Sequence, residues 1–220
     1  MNDEQKMSNI LKKVNDNSMK KNYNLDKLEA GIDEVGRGPL FGRVYAACVI
    51  LPRENTDFHF ECIKDSKKFT SKKKLLEVYN YIINNCIDYS YHYEDETKID
   101  EINIRETTLL CMHNCIKKLK VKPEFLLIDG NYFKKYDDIP YKIVEGGDHK
   151  FYSIAAASIV AKVMRDKYIE ELCEENPELK DNYGLHKNKG YGTKQHIEGI
   201  KINGITKWHR KTFGICKNYK

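Results

Sequence analysis

Short apolar segments typical of strands alternate along most of this chain with longer segments that carry a helical stripe. The segments 28–35 and 44–51 predict two strands, and apolar residues at steps of three and four predict helices over 71–85 and 104–119. The unbroken apolar run 125–128 is typical of a strand buried on both faces. Further strands are predicted at 87–93 and 141–145, and further helices at 153–174 and 193–203. This alternation predicts an α/β domain built on a mixed sheet.

One domain accounts for residues 28–220, and residues 1–27 form a polar N-terminal tail rich in Lys, Asn and Asp. Hydrophobic residues make up 40% of the 220 residues, which is enough for one core. No stretch approaches the roughly 20 apolar residues that cross a bilayer, and the tail lacks the apolar segment of a secretory signal. We therefore expect a cytoplasmic monomer that does not bind membranes.

The charge and the cysteine pattern constrain possible partners only weakly. A net charge of +5 permits a polyanionic partner, although a lysine-rich surface that maintains solubility explains it equally well. The seven cysteines form no CxxC pair, which disfavours a disulfide framework and a ribbon-type zinc site. In the one local cluster, helical spacing places Cys111 and Cys115 on one face and His113 elsewhere. We expect buried free thiols there rather than zinc ligands.

Two adjacent acidic residues, Asp33 and Glu34, interrupt the apolar strand 30–35. Burying two charges in a central strand is unfavourable unless a cation or hydrogen bonds compensate for them, whereas an edge strand would leave them in water. Side chains alternate across a strand, so the two carboxylates diverge unless the strand twists or ends at this point. The glycine-rich turn 36–38 that follows has backbone amides able to approach a phosphate or a sugar.

Two further acidic residues lie where a strand ends and where a helix begins. Asp129 follows the apolar run 125–128, and Asp148 precedes the long helix 153–174. Taken alone, Asp129 is also typical of a turn, and Asp148 of a turn or a helix N-cap. Together with the acidic pair, they predict an all-oxygen site of the kind that Mg²⁺ or Mn²⁺ prefers. Two such ions roughly 4 Å apart would suit phosphodiester hydrolysis without a protein nucleophile.

Basic and aromatic residues flank these candidates in three segments, 65–68, 186–192 and 207–210. Lysines bind backbone phosphates, and an aromatic ring stacks on a base or a sugar. The glycines on both sides of Tyr191 favour such a role in the second segment. The lysines at 72–74 are more typical of a solvated helix face.

These motifs, in this order, resemble the ribonuclease HII family. The resemblance extends over about residues 29–214, and its matching segments are 31–39 (GIDEVGRGP), 65–68 (DSKK), 127–131 (LIDGN), 147–148 (GD), 155–163 (AAASIVAKV), 165–166 (RD), 189–193 (KGYGT), 209–210 (HR) and Phe213. It implies a ribonuclease H-like fold, in which helices flank a five-stranded mixed sheet and a small C-terminal portion is helical.

The resemblance also implies residue roles. Four carboxylates resemble the catalytic metal ligands of the family: Asp33, Glu34, Asp129 and Asp148. Three residues resemble the loop that contacts the ribose 2′-hydroxyl, the group that distinguishes RNA from DNA: Gly36, Arg37 and Gly38. Lys67 resembles a phosphate contact, and Tyr191 resembles the tyrosine that stacks on the deoxyribose beyond an RNA–DNA junction. Asp166 lies within a helix, and we expect an ion-paired structural residue there rather than the fourth ligand.

The implied activity is that of an endonuclease that hydrolyses the RNA strand of RNA–DNA hybrids and cuts on the 5′ side of single ribonucleotides in duplex DNA. It would use two Mg²⁺ or Mn²⁺ ions and leave 5′-phosphate and 3′-hydroxyl ends. Two alternatives stay open: another ribonuclease H-like nuclease, such as a resolvase or an exonuclease, and a non-catalytic hybrid-binding protein. Arg43 and Gly146 stand where the family usually has proline and lysine, which leaves rate and substrate preference open.

Overall fold

The structure is a computed structural model that describes residues 19–53 and 58–219, so the first 18 residues of the predicted tail lie outside it. Its five strands are β1 (Glu29–Val35), β2 (Val44–Ile50), β3 (Asp88–Glu94), β4 (Phe125–Asp129) and β5 (Tyr141–Val144). They form one sheet in the order β3-β2-β1-β4-β5. Because β1 pairs antiparallel with β2 and parallel with β4, the sheet is mixed, as predicted.

Helices flank this sheet and build the C-terminal portion. Those of the described residues are α1 (Lys72–Asn85), α2 (Glu96–Lys118), α3 (Tyr152–Glu175), α4 (Pro177–Tyr183), α5 (Leu185–Asn188) and α6 (Lys194–Asn203). The side chain of Ser71 caps α1 by accepting a hydrogen bond from the backbone N–H of Lys74. The short helix α5 lies inside the glycine-rich segment 184–192, for which the sequence predicts no helix.

The strand β1 lies at the centre of the sheet, which excludes the edge-strand explanation of its acidic pair. Ile32 is paired with Cys48 of β2 on one side and with Ile128 of β4 on the other. The helix α3 packs so closely on β1 that a Cβ added at Gly31 would lie 2.2 Å from the carbonyl carbon of Ser153. The small residues Ala155, Ala156 and Ala157 at the start of α3 are fully buried, which suits this close packing.

The helix α2 begins earlier than predicted and breaks at Asn103, which has a φ of 68°. The side-chain oxygen of Asn103 accepts hydrogen bonds from the backbone N–H groups of Arg105 and Glu106 at 3.0 and 3.2 Å, and so caps the segment that follows. Between Glu96 and this break only Ile99 and Ile102 are apolar, which is too few for a recognisable stripe.

Each face of the sheet has its own core. The apolar residues of α2 cover one face, and those of α1 and α3 cover the other. A third cluster joins Phe41, which follows β1, to the C-terminal helices α4–α6. This third cluster places the segment after β1 against the C-terminal portion of the chain.

The described part of the N-terminal segment contacts the domain. The backbone of Lys20 bonds to the carbonyl of Lys150 and to the N–H of Tyr152, and the ring of Tyr23 stacks on Phe125 at 5.5 Å. The domain boundary at residue 28 stays a prediction. No helix in the part of the chain that the structure describes is both long and apolar enough to span a membrane.

Candidate active site

Three carboxylates meet where the two central parallel strands end. Asp33 and Glu34 lie near the end of β1, and Asp129 is the last residue of β4. Their ligand oxygens lie within 4.8 Å of one another. Asp33 is only 5% exposed, and its Oδ1 accepts a hydrogen bond from the backbone N–H of Glu34 at 2.7 Å. The pair lies where β1 has left its parallel neighbour, since the pairing with β4 ends at Ile32 while the pairing with β2 continues to Val35.

The turn before α3 fixes Asp129. The backbone N–H of Gly147 donates to Oδ1 of Asp129 at 2.6 Å. A Cβ added at Gly147 would lie 2.4 Å from Cδ1 of Ile154 and 3.2 Å from Oδ1 of Asp129, so a side chain here would force the turn away from the carboxylate. Gly146, which departs from the family pattern, has a φ of 61°, a conformation that favours glycine.

Asp148 lies beside this group rather than in it. It is buried and forms a second group with Asp65 and His149, whose ligand atoms also lie within 4.8 Å of one another. Its charge is one of the influences that raise the pKa of Asp129, after burial, so the two groups adjoin. The structure thus brings three of the four predicted ligands into one group and places the fourth in the adjoining group.

Lys67 and two serines connect the groups. The Nζ of Lys67 lies 3.6 Å from Oδ2 of Asp148, and 79% of its side chain is exposed. Burial alone would lower the pKa of Lys67, but the charges of Asp148, Asp65 and Asp33 together raise it. The hydroxyls of Ser66 and Ser158 lie 3.0 Å apart, and the side chain of Ser158 opposes the rise in the pKa of Asp33. The predicted phosphate contact therefore lies beside the acids with its charge accessible.

The three carboxylates of the first group, Asp33, Glu34 and Asp129, repel one another. Burial raises the pKa of Asp33 well above its usual range, and the charges of Glu34 and Asp129 raise it further. Burial also raises the pKa of Glu34, although the neighbouring Arg37 opposes that shift. The pKa of Asp129 is raised mainly by burial, against the hydrogen bond from Gly147. A cation at this position would relieve the repulsion and favour the ionised forms.

The donor set fits a hard divalent cation. All the ligand atoms of the first group are carboxylate oxygens, and the buried Oε2 of Glu34 has no hydrogen-bond partner among the described residues. The cysteine cluster is different, because the thiols of Cys111 and Cys115 are buried and donate to the carbonyls of Val44 and Ala46. All seven cysteines are free, as predicted.

The glycine-rich turn after β1 adjoins both the acids and Tyr191. The Nη1 of Arg37 lies 3.3 Å from Oε1 of Glu34. A Cβ added at Gly38 would lie 3.7 Å from Cε1 of Tyr191, whose ring is 48% exposed. Gly36 has a φ of 91°, which only glycine adopts readily. The loop and the tyrosine, 153 positions apart between Gly38 and Tyr191 in the sequence, thus form one exposed surface next to the acids.

Two buried histidines that sequence reasoning left without a role hold Tyr191. The backbone N–H of Thr206 donates to Nδ1 of His209 at 2.9 Å, so the proton of His209 is on Nε2. That Nε2 lies 3.1 Å from Nε2 of His196. The Nδ1 of His196 in turn donates to the carbonyl of Tyr191 at 3.0 Å. In the sequence, the only indication of this series of hydrogen bonds is the HR motif at 209–210.

Other charged residues have structural contacts. Asp166 pairs with Lys162 one helical turn away at 2.8 Å, as expected for an ion-paired structural residue within a helix. The guanidinium of Arg43 lies between the rings of Tyr93 and Tyr168, at 4.1 and 4.3 Å from their centroids. Arg43, which stands where the family usually has proline, therefore places its charge against aromatic rings and not in the acidic group.

A cavity of about 290 Å³ opens beside Glu34 and Asp129, and its other lining residues include Arg37, Arg105 and Asn131. Its lining combines carboxylates with cationic side chains. Such a lining is able to accept a polyanion whose negative charge is neutralised by bound cations and by arginines.

Solved structures of two proteins share this architecture. The crystal structure of ribonuclease H2 from Pyrococcus horikoshii OT3 superposes with a TM-score of 0.71 at 22% identity, over 86% of this chain and 95% of that chain. The RNase HII of Archaeoglobus fulgidus, solved in a complex with PCNA, gives a TM-score of 0.70 at 25% identity, over 86% and 96%. The fold is therefore that of the ribonucleases H, as predicted.

Sequence similarity narrows this class to one family. The profile described as Ribonuclease HII matches residues 30–216. The Ribonuclease HII of Bacteroides thetaiotaomicron is 47% identical over 194 residues, which cover 87% of this chain and 92% of that protein. That of Parabacteroides distasonis is 48% identical over 189 residues, covering 86% and 91%. The chain belongs to the ribonuclease HII family and is a metal-dependent endoribonuclease.

Proposed function

We propose that this protein cleaves the RNA strand of RNA–DNA hybrids and also incises duplex DNA on the 5′ side of a single embedded ribonucleotide, a step of ribonucleotide excision repair. One observation carries the proposal. The acidic group at the end of β1 continues directly into the turn 36–38, and that turn adjoins the exposed ring of Tyr191. A phosphate bound at the acids therefore neighbours groups that are able to contact the adjoining sugars.

In this proposal Asp33, Glu34, Asp129 and Asp148 hold two divalent cations, Mg²⁺ or Mn²⁺. When bound, such ions supply an activated water and stabilise the charge on the scissile phosphate and the leaving oxygen. Asp33 and Glu34 reach them from β1, and Asp129 reaches them from β4. Asp148 approaches from the adjoining group, with Lys67 at its carboxylate.

The remaining residues select the substrate. The backbone of Gly36, Arg37 and Gly38 contacts the ribose 2′-hydroxyl, which is absent from DNA. Tyr191 stacks on the deoxyribose that follows, for which its exposure leaves it accessible, and the bond from His196 to its carbonyl holds its backbone. Lys67 binds a phosphate, for which its high exposure leaves it accessible.

The alternatives differ in what they require of the substrate. A resolvase or an exonuclease of similar fold has no need for a ribose, so cleavage of an all-DNA duplex at a comparable rate would favour it. A non-catalytic hybrid-binding protein gains nothing from three converging carboxylates beside a phosphate. It would bind with a steep salt dependence and show no turnover with metal.

The test is to map the cleavage of an end-labelled DNA duplex that contains one ribonucleotide, with Mg²⁺ and with a chelator. We expect one cut on the 5′ side of the ribonucleotide with Mg²⁺ only. Asp33→Asn should reduce the rate by at least about a hundredfold, whereas Asp166→Asn, a matched loss of an ion-paired carboxylate on α3, should not. Undiminished cutting by Asp33→Asn would contradict the assignment.

Residues 28–220 are proposed as the catalytic domain, acting as a monomer in the cytoplasm on nucleic acid. A truncation that begins at residue 28 tests the boundary, since the proposal expects it to retain cleavage. The contacts of Lys20 and Tyr23 with the domain predict that this truncation also lowers thermal stability.

A further inference from the structure

A buried guanidinium organises the loop after β1. Arg210 is 0% exposed. Its four hydrogen bonds are all donated to backbone carbonyl oxygens of that loop: Gly36 at 2.6 Å, Arg37 at 3.1 Å, Pro39 at 2.8 Å and Gly42 at 2.8 Å. A single side chain from the C-terminal portion thus contacts both ends of the segment 36–42.

A second buried guanidinium completes the arrangement from the other side. Arg165 of α3 is 1% exposed. Its Nε donates to the carbonyl of Arg43 at 3.1 Å, and its Nη2 donates to that of Phe41 at 3.3 Å. A Cβ added at Gly36 would lie 2.4 Å from Nε of Arg165, so the glycine is needed for this contact.

A gain in stability alone does not explain why the guanidiniums of Arg165 and Arg210 are buried. Neither guanidinium forms an ion pair with a carboxylate of the described residues, and their bonds go to carbonyl dipoles instead. Burial lowers the pKa of Arg165, and it lowers that of Arg210 to about 9, with the neighbouring Arg165 adding to the shift. Burying a cation without an ion pair is unfavourable, and apolar side chains in place of buried charges are often neutral or stabilising. The arrangement fixes carbonyl directions that an apolar core would leave free.

The directions of these carbonyl groups determine where the backbone N–H groups of the turn 36–38 point. In a trans peptide the C=O of one residue and the N–H of the next point in opposite directions, and the described residues contain no cis peptide. Because Arg210 holds the carbonyls of Gly36 and Arg37 inward, the N–H groups of Arg37 and Gly38 point outward. Neither N–H donates to another group of the described residues, although Leu40 and Gly42 in the same loop do donate, to Gly190 and Trp208.

We propose that Arg210, with Arg165, is a positioning residue that aims the free N–H groups of Arg37 and Gly38 at the ribose of the substrate. This inference rests on the proposed function, because it explains how the loop is held in the orientation that tests for a 2′-hydroxyl. It assigns no contact with substrate to either arginine, since both are buried. The geometry needs a planar fork with several donors, which a lysine does not provide.

The experiment compares binding and cleavage by the full-length wild type and Arg210→Lys. Binding is measured in a chelator, on a duplex with one ribonucleotide and on the same duplex in DNA only, so the ratio of the two dissociation constants reports ribose discrimination without turnover. We expect Arg210→Lys to reduce that ratio and kcat/KM by about tenfold, since charge-assisted bonds that fix the loop are lost. The Mg²⁺ concentration for half-maximal activity should not change. Arg43→Lys is the matched control, because its guanidinium stacks on rings and bonds to none of these carbonyls.

Unchanged discrimination by a folded Arg210→Lys would overturn the inference. If Arg210→Lys does not fold, Arg165→Lys takes its place, with a smaller loss in the same direction expected and an unchanged ratio again contradictory. Faster hydrogen exchange at the bonded amides of Leu40 and Gly42 in the same loop, with unchanged exchange in β1, is the further expected result. A wild type that cleaves without regard to ribose would instead refute the proposed function, so the two failures are distinguishable.

Discussion

The buried histidine pair predicts a specific loss of stability in acid. Nδ1 of His209 accepts the N–H of Thr206, and protonating that nitrogen would set donor against donor. Burial and the neighbouring His196 lower the pKa of His209 from 6.5 to about 3. Because the pKa is lower in the folded state, this contribution to stability is complete above pH 6.5 and is lost as the pH falls towards 3. Between pH 6.5 and pH 3 this shift lowers the unfolding free energy by roughly 4–5 kcal/mol, of which about 2–3 kcal/mol is lost by pH 4.5.

The variant His209→Gln tests this magnitude, since an amide offers one acceptor and one donor but does not titrate. Urea unfolding is followed between pH 7 and pH 4.5 by the fluorescence of Trp208, the one tryptophan of the chain. We expect the wild type to lose about 2–3 kcal/mol more unfolding free energy than His209→Gln over this range. His59→Gln, which removes an exposed histidine, should follow the wild type. If the unfolding free energies of the wild type and His209→Gln fall in parallel with pH, the His209 imidazole does not carry this acid sensitivity.

Three further predictions concern the site and its support. Tyr191→Ala should reduce cleavage at a single ribonucleotide by about tenfold while long hybrids are cut nearly normally, because stacking on one sugar is lost; equal losses in a parallel assay of both substrates would count against it. The raised pKa values of Asp33, Glu34 and Asp129 mean that protons compete with cations. The Mg²⁺ concentration for half-maximal activity should therefore rise as the pH falls, and a pH-independent value would contradict this. Gly31→Ala should lower the unfolding free energy by about 1–3 kcal/mol, since its methyl group would collide with the backbone of Ser153; an unchanged thermal midpoint would disprove the close packing.

The sequence predicts most of this fold because its strands are short and apolar and its long helices carry regular stripes. The exceptions have local causes. The segment from Glu96 to Ile102 is helical through its cap at Asp95 and its packing, and not through a stripe of its own. The helix α5 is too short, at four residues, for periodicity to reveal it.

The candidate site was only partly predictable for a different reason. The position of each acid at a strand end or helix start was readable, and Asp33, Glu34 and Asp129 do converge. That Asp148 groups first with Asp65 and His149 depends on how the turn before α3 folds, which no spacing encodes. The role of Arg210 depends on carbonyls up to 174 positions away in the sequence, so only the tertiary structure reveals it.

The proposed function requires four separate carboxylates to hold divalent cations at one centre. Titrating Mn²⁺ into the full-length protein with an uncleavable duplex, followed by electron paramagnetic resonance, counts the bound ions. We expect two bound ions for the wild type and for Asp166→Asn, and loss of at least one in both Asp33→Asn and Asp148→Asn. Binding of two ions by all four proteins with equal affinity would show that these carboxylates do not hold the cations.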